Sequence, residues 1–315
     1  MANSKRGSGS GQLPLVYHPQ YSCPFPSTHR FPMEKFRLLH QFVVDQGIAG
    51  KHNIWRPGPC PDRILGLAHD LDYVHRFKHN ELSRQELREL GLPWSPGLVK
   101  RTLISPAGTL LAAQLALQHG LACHLAGGTH HAHYDRASGF CVINDLAVTA
   151  AALVRQPGVR TVLIFDCDVH QGDGTAAILS QQEHAKTCSI HCEKNFPVRK
   201  QKSDWDIGLN PGLNDAEYLD CVRETFLACL SRWQPDLVLY DAGVDVWQDD
   251  PLGLLNISLE GIAQRDQFVI ETCVNKNIPI ATVIGGGYDK DRFRLAARHG
   301  IVVQQAHNIY QTLLA

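Results

Sequence analysis

Little in this 315-residue chain is charged, and the charge it carries cancels. Asp, Glu, Lys and Arg make up 19% of it, with 30 basic residues against 31 acidic ones. A net charge of -1 creates no polyelectrolyte field. That removes the electrostatic footprint of a protein that binds nucleic acid or an anionic membrane directly. No apolar run approaches the about eighteen residues that a membrane span needs. The first eleven residues, MANSKRGSGSG, lack the apolar stretch of a secretory signal. A disordered tail is expected over 1–12, and a cytoplasmic protein follows as the default. Ten cysteines are scattered with no C-x-x-C pair. They read as reduced thiols, several of them in the core, rather than as a disulfide framework. Cys188-Ser189-Ile190-His191-Cys192 has no second Cys/His pair at zinc-finger spacing, so it reads as structural.

What is present is apolar residue in short runs. The chain is 44% hydrophobic, enough for a sizeable core. Candidate strands are Leu13–Tyr17, Leu121–Leu125, Thr161–Phe165, Thr187–Ile190, Leu237–Tyr240 and Ile280–Ile284. They are apolar throughout rather than alternating, as parallel strands covered on both faces are. Helical patterns lie between them. Pro106–His119 follows Ser105 as N-cap and stops at Gly120, Asp215–Trp233 follows Asn214, and Leu259–Asn275 follows Ser258. The alternation predicts an α/β protein with a central, mostly parallel sheet flanked by helices. No repeat and no linker divides the chain, so residues 13–315 are expected to form one domain. Asn195–Gly212 reads as a long surface loop.

Polar residues gather just past four strand ends: His130 and His131, then Asp166, Asp168 and His170, then Asp241 and Asp245, then Gly285–Tyr288. Open α/β sheets bind ligands outside the carboxyl ends of their strands. If the chain stays extended past Phe165, Asp166, Asp168 and His170 share one face. One imidazole and carboxylate oxygens make a divalent-metal set, with Asp245 the best candidate for a third ligand. Three protein ligands leave a position for water and substrate. An isolated aspartate is more often a helix cap or loop acceptor, but D-x-D-x-H after an apolar strand, with a second acidic strand end, is not isolated. His130 and His131, in a glycine-rich loop, can face such a metal. A histidine that alternates between base and acid needs an orienting carboxylate, and Asp166 and Asp173 are the spare acids. His133 reads as surface decoration. Tyr288, after three glycines, can aim a phenol at a developing oxyanion, although tyrosine beside such a turn is often only packing.

In order along the chain, GGTHHA (127–132), SGFCVIND (138–145), FDCDVHQGDG (165–174), YDAGVD (240–245) and GGGY (285–288) resemble the zinc-dependent histone deacetylase superfamily. The stretch 214–290 looks most like class IV members and their bacterial relatives. The resemblance implies an arginase-like fold and one zinc on Asp168, His170 and Asp245. It implies His131 as general base and acid, with His130 as its electrostatic partner, Asp166 orienting His130 and Asp173 orienting His131. Tyr288 would polarise the acyl carbonyl, and Gly139 and Phe140 would line the acyl-amine tunnel. The backbone at Asp166, Asp168 and His170, with Ser189 and Ile190, matches a structural potassium site. Arg37 falls where some members carry a channel arginine, and His69-Asp70 resembles a rim pair.

The implied reaction is zinc-dependent deacylation of an acyl-lysine peptide or protein. An acetylpolyamine or other small acyl-amine is the alternative substrate. A binuclear ureohydrolase would place a bridging aspartate where Gly172 stands. A catalytically dead acyl-lysine binding module would lack catalytic side chains that are all present here.

Overall fold

A computed structural model describes residues 11–312. Residues 1–10, most of the tail expected to be disordered, lie outside the described residues. Eight strands form one sheet: β1 Leu15–Val16, β2 Ile54–Trp55, β3 Leu121–His124, β4 Val162–Asp166, β5 Ala185–Cys192, β6 Trp205–Leu209, β7 Leu237–Asp241 and β8 Ile280–Val283. Their order is β2-β1-β3-β8-β7-β4-β5-β6, and every pair is parallel. Helices connect them: α1 Lys35–Asp45, α2 Asp62–Leu65, α3 Leu71–Lys78, α4 Arg84–Leu90, α5 Pro96–His119, α6 Asp145–Leu153, α7 Asp173–Leu179, α8 Asp215–Trp233, α9 Leu259–Asn275 and α10 Arg292–Thr312. This is the α/β architecture, a central parallel sheet flanked by helices, that the alternation of apolar runs and helical patterns predicts. Among the described residues no helix is long and apolar enough to cross a membrane.

The continuous apolar runs became the covered strands. Every residue of β3, β4, β7 and β8 is buried. Burying one such Leu, Ile, Val or Phe side chain contributes roughly 1.5–3 kcal/mol. Caps set the helix starts. The side chains of Asn144, Asn214 and Ser258 accept from Ala147, Glu217 and Gly261 N–H, satisfying donors that have no partner inside the helix. The ten cysteines are all unpaired, and eight are buried.

Two elements differ from expectation. The helix expected from Pro106 begins ten residues earlier, at Pro96, with Ser95 as its cap. Pro106 lies inside it, and Ser105 is buried there instead of capping. Ser95-Pro96 carries the same cap-then-proline signature, and tertiary burial of Leu98, Thr102 and Ile104 carries the helix through the second proline. The loop expected over Asn195–Gly212 contains β6, which pairs with β5 from Cys188↔Trp205 to Cys192↔Leu209. Its residues are only half-buried, so it lacks the apolar run of a central strand.

The register decides the position of the site. β4 runs out to one side through β5 and β6, and the chain then returns to place β7 and β8 on the other side. Asp166, the last residue of β4, therefore sits opposite Asp241, the last residue of β7, on one flank and Ser189, within β5, on the other. Strand order reverses there, and a crevice opens where it does so.

Candidate metal and catalytic centre

The metal ligands predicted from the sequence converge. Ligand atoms of Asp168, His170 and Asp245 lie within 4.8 Å of one another, and all three residues are buried. His170 Nδ1 is 3.0 Å from Asp168 Oδ1 and 3.1 Å from Asp245 Oδ2. Burial disfavours the imidazolium, but hydrogen bonding to the two carboxylates outweighs it and raises His170 to about 10. The glycines around these ligands leave them room. A Cβ on Gly286 would stand 2.2 Å from Asp245 Oδ2 and 2.6 Å from Asp168 Oδ2, so no other residue fits that turn.

The loops that carry the ligands are tied together from below. Arg265, fully buried on α9, donates to the carbonyls of Cys167 (3.2 Å) and Gly243 (2.8 Å). Its Nε donates to Asp266 at 2.9 Å. Cys167 precedes Asp168, and Gly243 stands two residues before Asp245. One guanidinium thus fixes both ligand segments. Nothing in the sequence marked it, because an arginine inside a helical pattern usually reads as surface.

The two histidines have separate partners. His130 Nδ1–H donates to Asp166 Oδ2 at 2.7 Å, and His131 Nδ1–H donates to Asp173 Oδ1 at 2.6 Å. Their rings are 4.2 Å apart. Burial opposes charge on both, yet Asp166 and Asp168 raise His130 well above the ordinary histidine range. For His131, burial and then the positive charge of His130 outweigh Asp173 and lower it to about 4. The two imidazoles are thus shifted in opposite directions, His130 upward and His131 downward. A second cluster, His130, Asp166 and Asp241, also has ligand geometry. His130 Nδ1, however, is engaged by Asp166 and lies 3.9 Å from Asp241 Oδ2. Burial, then the charge of Asp166, raises Asp241 well above the carboxylate range, and neither of its oxygens has a partner among the described residues.

His133 is not surface decoration. It is buried, and its Nε2 is 3.0 Å from Asp173 Oδ2. Asp173 bridges two histidines, because the turn that exposes His131 to the pocket folds His133 back under it. Gly172 stands beside this cluster. A Cβ there would lie 2.5 Å from Asp166 Oδ2 and 3.3 Å from His130 Nδ1. A bridging aspartate at 172 cannot coexist with the His130–Asp166 bond.

A cavity of about 480 Å³ leads to the centre, lined by His131, Gly139, Phe140, His170, Phe196 and Tyr288 among others. Phe196 meets the His131 ring edge-on at 4.8 Å. It lines the same cavity as Phe140. Below lies a small chamber of about 40 Å³, lined by Asp168, His170, Asp245, Tyr288 and the buried cations Lys35 and Arg101. Arg37 is exposed and does not line it. α1 turns Lys35 inward, and Lys35 Nζ donates to Gly285 O at 3.1 Å. Neither His69 nor Asp70 lines the cavity. His69 is buried and accepts the Asn144 N–H at 2.8 Å, and Asp70 caps α3. The segments expected to hold potassium are adjacent, with Asp166 opposite Ser189 and Ile190 next along β5.

The histone deacetylase domain family matches residues 29–303 of this chain. The chain belongs to the histone deacetylase family. An uncharacterized protein of Picosynechococcus sp. is 46% identical over 299 residues, covering 95% of this chain and 99% of that one. The acetoin utilization protein AcuC of Staphylococcus aureus is 31% identical over 288 residues, covering 84% of this chain and 74% of AcuC. A solved structure of an HDAC homologue from Aquifex aeolicus superposes with a TM-score of 0.75 at 20% identity, covering 96% of this chain and 89% of its own. That last likeness speaks to the fold. Membership of the histone deacetylase family makes a metal-dependent hydrolase the coarse identity of the centre.

Proposed function

We propose that this histone deacetylase family member is a zinc-dependent deacylase that hydrolyses the amide of an acyl-lysine. The observation that carries the reading is the convergence of Asp168, His170 and Asp245 at the base of a pocket that also holds His131 and Tyr288. Two carboxylates and one imidazole form a donor set that suits one Zn²⁺ and leaves a place for water and substrate. When bound, the ion would supply Lewis acidity to the acyl carbonyl and to a water molecule.

The protein's own groups do the rest. Asp173 accepts His131 Nδ1–H, so the Nε2 lone pair is free to take the proton of an attacking water. The water oxygen bonds to the carbonyl carbon, and negative charge builds on the carbonyl oxygen. Tyr288 donates its phenol proton as a hydrogen bond to that oxygen. Burial, and then the charge of Asp245, raises the phenol well above its ordinary value and keeps it a donor. His131 returns the proton to the amine nitrogen as the C–N bond breaks, leaving a carboxylic acid and a free amine. Asp166 holds His130, whose ring lies 4.2 Å from that of His131 and faces it as its electrostatic partner. Gly139, Phe140 and Phe196 wall the apolar stem of the lysine. Structural potassium on the Asp166, Asp168, His170, Ser189 and Ile190 segments is part of the same proposal, supported by the β4–β5 register.

Acetyl-, butyryl- and myristoyl-lysine peptides, beside acetylpolyamines, test the reaction. Tyr288→Phe tests the mechanism. It removes one oxygen, so turnover should drop roughly a hundredfold to a thousandfold with folding and zinc content intact. The turnover number and kcat/KM should fall together. Turnover within about threefold of wild type would make Tyr288 a packing residue, since a lost oxyanion donor costs far more.

A further inference from the structure

The pocket entrance carries charge that the catalytic centre does not explain. Arg30 and Arg88 line the same cavity as the buried His131 and His170, but both are exposed, which places them at its outer end. Arg88 sits in the last turn of α4, and that turn is pinned to the tunnel wall because Phe140 N–H donates to Leu90 O at 3.2 Å. Arg30 follows His29, whose ring stands 6.0 Å from that of Phe140. Arg88 is thus carried on a turn bonded through its backbone to the wall that would flank the substrate amine, and Arg30 follows a residue that packs beside the same wall. Among the described residues neither has an ion-pair partner. The acid at the rim, Glu89, already accepts from Gln85 Nε2 at 3.0 Å one turn back along the helix. The rim therefore offers two uncommitted planar donors and a net positive charge.

We propose that Arg30 and Arg88 are specificity residues that select acyl-amines whose carrier presents a carboxylate beside the acylated amine, and that disfavour cationic carriers. The proposal rests on the deacylase reading and deepens it. A guanidinium fork matches a carboxylate in plane and can bind it through two parallel hydrogen bonds. A polyamine or a lysine-rich peptide would bring its own positive charge against the same rim. Exposed charge pairs are individually weak, each changing affinity by about two- to fivefold, and they are screened by salt. Two of them, with attraction exchanged for repulsion, separate acidic from basic carriers by about tenfold or more.

The test is steady-state kinetics on three acetyl-lysine peptides differing only in flanking residues: aspartate, alanine or arginine. Free Nε-acetyl-lysine, with its α-carboxylate open or amidated, distinguishes a metabolite carboxylate from a side-chain one. Wild-type protein should favour the aspartate peptide over the arginine peptide by about tenfold in kcat/KM, with the difference in KM and shrinking at high salt. The double variant Arg30→Glu/Arg88→Glu should reverse the ranking while leaving the alanine peptide within about threefold of wild type. Binding of the same labelled peptides to His131→Ala protein should rank them identically without turnover. Equal kcat/KM for all three peptides, a preference for arginine, or an unchanged ranking in the double variant overturns the proposal alone. No hydrolysis of any of them overturns the deacylase reading and the proposal with it.

Discussion

The backbone of Tyr288 is held at both ends by one buried ion pair, its N–H donating to Asp250 Oδ2 at 2.8 Å and its carbonyl accepting from Arg298 Nη2 at 2.8 Å. The same nitrogen lies 3.3 Å from Asp250 Oδ2, and the guanidinium stacks 4.1 Å over the Trp247 ring. Arg298 and Asp250 do not touch the pocket, so they act by positioning the phenol. Displacement of a reacting group by about 1 Å can cost about a hundredfold in rate. Arg298→Met is therefore expected to lower kcat by roughly tenfold to a hundredfold while KM changes little. Removing one partner of a buried pair also costs roughly 3–5 kcal/mol of stability. Arg298→Lys, which keeps the charge, should recover the fold and part of kcat. Wild-type kcat in folded Arg298→Met protein would show that the clamp is irrelevant to catalysis.

His131 and His133 share Asp173 through opposite oxygens, but only His131 lines the pocket. His131→Ala should abolish nearly all activity with metal retained. His133→Ala should cost far less, by loosening Asp173, and not the near-zero effect that an exposed histidine would predict. Metal content and kcat for both variants decide the matter. Equal losses would refute the division of roles.

One zinc per chain is expected, since of the two buried ligand clusters only Asp168, His170 and Asp245 all line the chamber, and Gly172 excludes a bridging carboxylate. Gly172→Asp should not recruit a second ion. Its Cβ, 2.5 Å from Asp166 Oδ2, should instead break the His130–Asp166 bond and reduce kcat. Metal analysis that finds two stoichiometric transition ions in either protein would contradict this.

His69 accepts the Asn144 N–H at the start of α6, and burial lowers it from 6.5 to about 4. The folded state therefore holds His69 neutral where the unfolded chain would protonate it. Its contribution is present above about pH 6.5 and is lost as pH falls toward 4, up to about 3 kcal/mol from this shift. His69→Gln keeps an acceptor for Asn144 without a titrating ring. Urea midpoints measured from pH 7 to 4 should fall less steeply for His69→Gln than for wild type. Parallel slopes would mean that His69 carries no part of the acid sensitivity.

The sequence by itself determined the chemistry at the strand ends. Asp168 and His170 stand two residues apart just past a strand end, but the extended exit that would align them by alternation gives way to bends at 168–170, where His170 N–H donates to Asp168 Oδ1 and draws the pair together. Asp245 follows a separate apolar run, and parallel pairing of such runs brings their carboxyl ends together. The strand pattern fixed the α/β class for the same reason, because a strand covered on both faces must be apolar throughout. Where the pattern is weak it misleads: β6 is an edge strand without an apolar run, and Ser105-Pro106 looks like a helix start although α5 begins at Ser95-Pro96. Tertiary structure alone decided which remote residues complete the site. Arg265, Arg298, Asp250, Lys35, His133 and Phe196 reach it from other helices and loops. Their side chains have no local periodicity that points inward, since charge and hydrogen bonding at the destination, not hydrophobicity along the chain, make their burial favourable. The same holds for Arg37 and His69. Each carries the residue type expected of a channel or rim, but the direction of a helix face and a hydrogen bond to Asn144 sent them elsewhere.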